Sequence, residues 1–503
     1  MTGALSPRRR WAALAVCCLA QLLITLDLTV LHLAVPKLLE DLRPTSTEFL
    51  WITDVYGFTL AGFLVTMGNL GDRIGRKKLL LIGSAVFGAA SLATAFAPNV
   101  ELLITARALL GIAAATLMPS TLSLVRNVFT DAKQRTMAIG LWSGVAILGI
   151  GFGPVIAGFL LSYFWWGSVF LVNVPVVALL VLAGAVVLPE SRNPSPGRLD
   201  ARSVALSIAG MIAIVYAIKE IAHRGPWHAD VLIAAIVGIS ALALFLRRQR
   251  NLTEPLIDVK LFKQRAFSAT VGVTLVAMFV QLATSLATAQ YFQLVLGWSP
   301  IRSGLAGLPG MAGALVGGAL CGLVVSKIGR AATVAIGCAL SAAGFLGLAQ
   351  VGVGTGYPYV VVVMVVFGAG VASTLTVATD TVLGAVPKER AGAASAISET
   401  ANELGAALGI AILGSVLTAV YRSRLDLPGL PDTAKETLGN TVAFAQHLPA
   451  ADTVLRHARE AFMTGLQTTM YLSAGLLAVL GFLAMIGLRG VPEVLGEPEP
   501  VAA

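Results

Sequence analysis

The sequence predicts an all-α integral membrane protein with 14 transmembrane helices: two six-helix halves and a two-helix hairpin inserted between them. Three observations carry this. Of 503 residues, 57% are hydrophobic and 12% charged, with mean hydropathy +0.84, whereas an ordinary soluble chain is about a quarter charged. The apolar residues gather in runs of about 20, the length a helix needs to cross a bilayer core of roughly 30 Å. Lipid leaves the backbone no partner but itself, and these runs are too long and too evenly apolar for barrel strands. The third observation is an internal repeat, described below.

The runs fall at 11–35, 49–70, 79–97, 102–125, 136–160, 168–188, 203–221, 230–246, 266–296, 303–325, 331–350, 358–384, 392–420 and 463–488. Span 1 follows Arg8, Arg9 and Arg10 as a signal peptide would, but it is longer, contains Asp27 and lacks a small-residue cleavage site, so it is read as a retained helix. With the amino terminus in the cytoplasm, inner segments hold 24 Lys and Arg and outer segments 9, as the positive-inside rule requires. Both termini are therefore predicted to be cytoplasmic. The net charge of +9 is a topology signal, and no soluble basic domain exists to bind nucleic acid.

The stretch GNLGDRIGR (68–76) aligns with GLVVSKIGR (322–330), pairing Gly68 with Gly322, Ile74 with Ile328, Gly75 with Gly329 and Arg76 with Arg330. Each follows the second span of a six-span set. This gives halves at 11–188 and 266–488, a hairpin at 203–246, and a substrate site near midplane between the halves. The one sizeable extramembrane segment, 421–462, is expected outside, with short helices at DTAKETLGNTVAFAQHL and ADTVLRHAREAF.

Cys17, Cys18, Cys321 and Cys338 lie in apolar spans without ligand spacing, so they are read as packing residues and no metal is expected. There is no Gly-Lys pair for a phosphate loop, no H-E-x-x-H and no G-x-S-x-G. Neither a cofactor nor enzymatic chemistry is expected, and uphill transport must draw on an ion gradient.

Ionisable residues inside spans are the functional candidates, because each costs roughly 2.5–3.5 kcal/mol at a helix centre. At about 1.5 Å per residue, Asp27 lies about 24 Å along span 1, and Asp54 and Arg107 each roughly 8 Å from the outer face. The two carboxylates and the guanidinium form a candidate proton site. Glu399 and Glu403 share a face of span 13, roughly 10 and 17 Å from the inner face, where a cation or proton can be held. Asp380 near the inner end of span 12 reads equally as functional or as a solvated helix-end charge. His32 is a lesser candidate for proton coupling. Lys219 and Glu220 read as snorkelling residues. Gln290, Tyr291, Phe292 and Gln293 offer aromatic and amide contacts to an anionic or neutral substrate.

The stretch 68–78, with Gly68, Gly71, Asp72, Arg73, Gly75, Arg76 and Lys77, resembles the loop signature between helices 2 and 3 of the major facilitator superfamily. LDLTVLHLAVP (26–36), ARALLGIAAATLMP (106–119) and GIGFGPVIAG (149–158) resemble the helix 1, 4 and 5 signatures of its 14-helix drug:proton antiporters, and 389–409 resembles their acidic helix 13. His32, Ala157 and Ser326 depart from those patterns. The resemblance implies that Asp72 latches the halves together on the cytoplasmic side in one state and releases them in the other. Gly149, Gly153, Pro154 and Gly158 then form a hinge or tight interface between halves. The implied activity is export of lipophilic, cationic drugs or antibiotics in exchange for protons, by a monomer in the cytoplasmic membrane. Import on the same scaffold, or a membrane-embedded enzyme or sensor, are the alternatives.

Overall fold

Every predicted span is helical in the computed structural model of the chain, which describes residues 6–44, 46–193, 200–225, 227–252, 255–352, 354–425, 430–431, 435–445 and 451–489. The side chains of His32 and Pro154 lie outside the described residues. The helices are α1 (Pro7–Leu42), α2 (Ser46–Ile74), α3 (Arg76–Ala95), α4 (Val100–Val128), α5 (Ala132–Tyr163), α6 (Ser168–Leu171), α7 (Asn173–Val187), α8 (Ala201–Arg224), α9 (Ala229–Asn251), α10 (Arg265–Gln290), α11 (Pro300–Ala306), α12 (Leu308–Ala349), α13 (Tyr357–Gly384), α14 (Ala391–Arg424), α15 (Leu438–Ala445) and α16 (Ala451–Gly487). Eleven helices among the described residues are long and apolar enough to cross a membrane. Helices α2 and α5 occupy predicted spans 2 and 5, and α12 covers two spans.

Local chemistry sets the boundaries. Asn99 and Asp131 accept the backbone N–H groups of Leu102 and Gln134 at 2.9 and 2.8 Å, starting α4 and α5 as short polar side chains do. Gly75 and Gly329, equated by the repeat, both take positive φ, +113° and +79°. That backbone favours glycine; at Gly329 it breaks the 42-residue α12 into two legs. Two predictions about ends need correction. The outer stretch beginning at 451 is no separate helix but the start of α16. The span ending at 296 closes with a π turn, Tyr291–Val295, which buries Tyr291 and Phe292: the Tyr291 hydroxyl donates to Gly352 O at 2.9 Å and Phe292 stacks on Trp298. Those two aromatics are committed to packing.

Within α1–α7, α1 packs on α5, α2 on α4, and α3 on α4 and α7; within α10–α16, α12 packs on α13 and α16, and α10 on α14. The two sets meet where α2 and α4 touch α14 and where α5 touches α12, and α8 joins α2 to α14. Arg9 donates to Val186 O and Val187 O at 3.1 and 3.2 Å, and a Cβ on Gly487 would lie 2.8 Å from Ala269. Between these two places, Arg76 N–H donates to Ser191 O at 2.9 Å and Asn69 Nδ2 to Leu256 O at 3.0 Å, so both ends of the described chain lie on one face of the stack, here called the terminal face. Large apolar side chains on α9 and α16, such as Ile236, Ile239, Phe482 and Ile486, point outward, as helices solvated by lipid require.

Candidate functional site

The acids inside the stack fall into paired and unpaired groups. Asp27 on α1 is fully buried. It accepts from Arg107 Nη1 of α4 at 3.1 Å and from Asn173 Nδ2 of α7 at 2.8 Å, and Asn173 also reaches Ser91 Oγ at 3.1 Å. The Arg107 guanidinium lies 4.8 Å from the Tyr56 ring centre and donates to Ile52 O at 3.4 Å. These donors satisfy both carboxylate oxygens of Asp27 within the protein.

Asp54 does not join that pair, although its depth, equal to that of Arg107, predicted that it would. It turns to the hairpin instead and accepts from Lys219 Nζ at 2.5 Å. Lys219 is therefore engaged in an ion pair where snorkelling was predicted.

On α14, Glu399 is buried and accepts from Asn402 Nδ2 at 3.1 Å. Glu403, one turn on, is half-buried with no hydrogen-bond partner among the described residues. The Tyr56 hydroxyl, buried and likewise without a partner among the described residues, feels the charges of Asp27, Arg107 and Glu403. Tyr56 thus lies against Arg107 from α2, the helix that packs on both α4 and α14.

A third constellation closes the terminal face. Asp72, at the end of α2, accepts from Arg76 Nη2 at 2.6 Å and from the backbone N–H groups of Gly392 and Ala393 at 3.0 and 3.2 Å. It therefore caps α14, where the helix dipole favours an anion. Arg76 also donates to Glu389 O at 3.2 Å, and Arg126 to Pro387 O at 3.2 Å and to Val386 O. Ser123 and Ser395 hydroxyls meet at 3.2 Å. Asp380 is fully buried, between Arg330 Nη2 at 2.6 Å and Arg135 Nε at 2.7 Å, with Thr136 donating at 3.0 Å. It is no solvated helix-end charge, because Arg135 reaches it from α5, in the other helix set.

Glycines let backbones touch at this closure. A Cβ on Gly68 would lie 2.5 Å from Gly392 O, and one on Gly140 only 2.1 Å from Gly318 O. The rest of the loop signature serves its own set. Gly71 packs toward Leu79, Arg73 is half-buried, and Lys77 donates to Ala185 O at 2.6 Å. Gly75 makes room for Glu190, whose carboxylate accepts Lys77 and Lys78 N–H groups at 3.3 Å each.

The α5 glycines need a correction of place. A Cβ on Gly149 or Gly153 would strike Thr25 or Thr29 of α1, each at 1.9 Å, so they tighten packing within the first set. The interface between sets is made earlier on α5, by Gly140 and Gly144. Gly158 is half-buried on α5, and its carbonyl accepts from Ser162.

Sequence reasoning missed Arg126, Arg135, Asn173, Glu190 and the role of Lys219. Arg126 and Arg135 were counted as topology charges, and nothing local marks them as ligands of groups more than 240 residues away. Among the described residues, no group of three or more His, Cys, Asp or Glu is placed to hold a metal ion.

The profile of the Major Facilitator Superfamily matches residues 17–410. The chain is 43% identical over 489 residues to the multidrug efflux pump LfrA of Mycolicibacterium smegmatis, with 96% of each covered. It is 37% identical over 464 residues to the methyl viologen resistance protein SmvA of Salmonella typhimurium, covering 90% of this chain and 93% of that protein. In structure it resembles the human organic anion transporter MFSD10 (TETRAN), with a TM-score of 0.60 at 15% identity over 95% of this chain and 100% of that one.

Proposed function

This chain belongs to the Major Facilitator Superfamily and is a multi-pass drug-efflux transporter, and from that premise we propose that it exchanges lipophilic cationic drugs for protons, with Glu403 as the contested carboxylate. The observation that carries this reading is Glu403 itself, a half-buried acid on a membrane-spanning helix with no hydrogen-bond partner among the described residues. Asp27 and Asp380 are already answered by guanidinium groups. A carboxylate left open is the one a cationic drug can neutralise and a proton can release. The resemblance to a methyl viologen resistance protein favours organic cations as substrates.

The working parts are two six-helix halves, 11–188 and 266–488, with the hairpin 203–246 between them. The terminal face carries the arginine-rich segments and is assigned to the cytoplasm. Here the halves are locked on that face by Asp72, Arg126 and Asp380, which corresponds to a carrier open to the outside. Protons arriving there neutralise Glu403 and expel the drug. When the lock releases, the proton leaves to the cytoplasm and the next drug enters from there or from the inner leaflet. The Asp27–Arg107–Asn173 cluster holds α1, α4 and α7 in register beside this path.

The test uses inverted and right-side-out proteoliposomes with an imposed pH gradient, following a fluorescent lipophilic cation and an internal pH dye. Cation movement opposite to proton flow is expected, and Glu403→Gln should abolish substrate-induced proton release. Unchanged release in that variant removes Glu403 from the exchange, and inward accumulation with the proton gradient would mark an importer.

A further inference from the structure

The inserted hairpin brings one charge to the transport path. Lys219, near the end of α8, is about a third exposed: its ammonium donates to Asp54 of α2 and lies 5.2 Å from the centre of the Phe58 ring. Its charge also acts on Glu403 of α14. The three helices are held together here, since α8 packs on both α2 and α14 and Leu404 joins Phe58, Ala61, Met211 and Val215 in one apolar cluster. The ammonium therefore pairs with Asp54 of one helix set and lies over Phe58, against whose cluster Leu404, the neighbour of Glu403 on α14 of the other set, is packed. A lysine that merely snorkels to water needs neither.

We propose that Lys219 is a built-in counter-cation for Glu403, turning to it when that carboxylate is ionised and empty and resting on Asp54 when a drug cation or a proton occupies Glu403. The proposal rests on the reading of Glu403 as the exchanged carboxylate, and it gives the hairpin a role in specificity. A substrate must displace an ammonium, so its charge is what earns entry. Between losing a proton and gaining a drug, Glu403 is not left as a bare carboxylate in a low-dielectric setting.

The other charged groups packed about Glu403 are accounted for. On its own helix Glu399 lies one turn away; α2 presents Tyr56 and Asp54; α8 presents Lys219, with Glu220 next in sequence. Arg107 of α4 and Asp380 of α13 are engaged in ion pairs. The only ionisable residue of α10 is Arg265 at its start, and the charged residues of α16 lie between Asp452 and Glu460, in its first turns. Among the described residues of these helices, Lys219 is thus the cation left to answer Glu403.

The experiment is equilibrium binding of radiolabelled tetraphenylphosphonium to the purified full-length chain in detergent, from pH 5 to 9. Wild-type binding should rise with pH as Glu403 ionises. Lys219→Gln removes a competitor, so the alkaline-limit affinity should tighten about fivefold or more. It also removes a charge that favours the ionised carboxylate, so the binding midpoint should move to higher pH by about 0.7 of a unit, the same factor expressed in protons. Asp54→Asn frees Lys219 for Glu403, so both quantities should move the other way. A salt bridge that only holds helices together gives the same change when broken from either end. Shifts of the same sign in both variants, or none in either, overturn the inference; Lys219→Met and Asp54→Ser replace any variant whose melting in detergent shows it unfolded. If Glu403→Gln flattens the pH profile while the Lys219 and Asp54 variants move together, only the counter-cation fails. If Glu403→Gln keeps the wild-type profile, the exchange reading fails as well.

Discussion

Asp380 and Glu403 are both acids on membrane-spanning helices, yet the same substitution means different things at each. Asp380 answers two guanidinium groups, Arg330 at 2.6 Å and Arg135 at 2.7 Å. Removing one member of a buried ion pair leaves the other uncompensated, at about 3–5 kcal/mol. Asp380→Ala is therefore expected to lower the unfolding free energy by about that amount. Glu403→Gln strands no partner and should leave stability within about 0.5 kcal/mol while abolishing proton-coupled export. Denaturation in detergent beside vesicle transport reads both quantities, and an equal loss of stability in the two variants would class Glu403 with the structural acids. The sequence made these acids visible through their rarity in apolar spans, but it did not sort them. Whether a carboxylate is answered depends on residues such as Arg135 and Asn173, brought to it only by the tertiary fold.

At the scale of elements, turns were legible and partners were not. Gly75 and Gly329 could be equated from sequence because positive φ is a one-residue requirement that glycine meets. Which face of α5 meets α12 is a matter of helix rotation, and the antiporter-like glycines 149 and 153 proved to face α1. The crossing of α5 on α12 makes a sharper prediction. Gly140→Val places a Cβ 2.1 Å from Gly318 O, a clash with backbone that no rotamer relieves, so the closure must open. Distances between spin labels on the terminal-face ends of α5 and α13 should lengthen in Gly140→Val and stay unchanged in Gly158→Ala, and equal distances in both would mean the crossing is not a contact of the locked state. The hairpin gives a pH prediction outside the bilayer. Asp200 caps α8 through Ser203 and binds Arg248 of α9 at 2.5 and 3.0 Å, and these donors hold its carboxyl below the usual range. A carboxyl held low in the folded state keeps its contribution above the ordinary carboxylate value of about 3.9 and loses it only as pH falls through the lower folded value. Asp200→Asn should therefore leave the shape of the transport pH profile unchanged between pH 5 and 8; a displaced profile would tie this anchor to coupling.

At the scale of the whole molecule, alternating access requires that the contacts closing the terminal face be strong enough to hold one state and weak enough to release it. The proposed lock relies on few groups, and Asp72 is the one that joins the two helix sets through backbone N–H groups. It accepts two backbone N–H groups at the start of α14 while neutralising Arg76. A partly buried anion at a helix start contributes up to about 2 kcal/mol. Asp72→Asn keeps the shape and removes the charge, so the locked state should lose about 1–2 kcal/mol, a five- to thirtyfold shift in the ratio of locked to released molecules. Ser395, buried against Ser123 across the closure, is the position to read it. In Ser395→Cys, maleimide labelling should be slow with Asp72 present and faster by that factor with Asn in its place. Adding a saturating lipophilic cation should move both backgrounds in one direction by a common factor, because a ligand shifts a two-state equilibrium only by its differential affinity for the states. Labelling insensitive to Asp72 but sensitive to the cation would transfer the lock to the Asp380 cluster. Labelling insensitive to both would mean that Ser395 stays covered throughout the cycle, and that the halves part along the α5–α12 crossing instead.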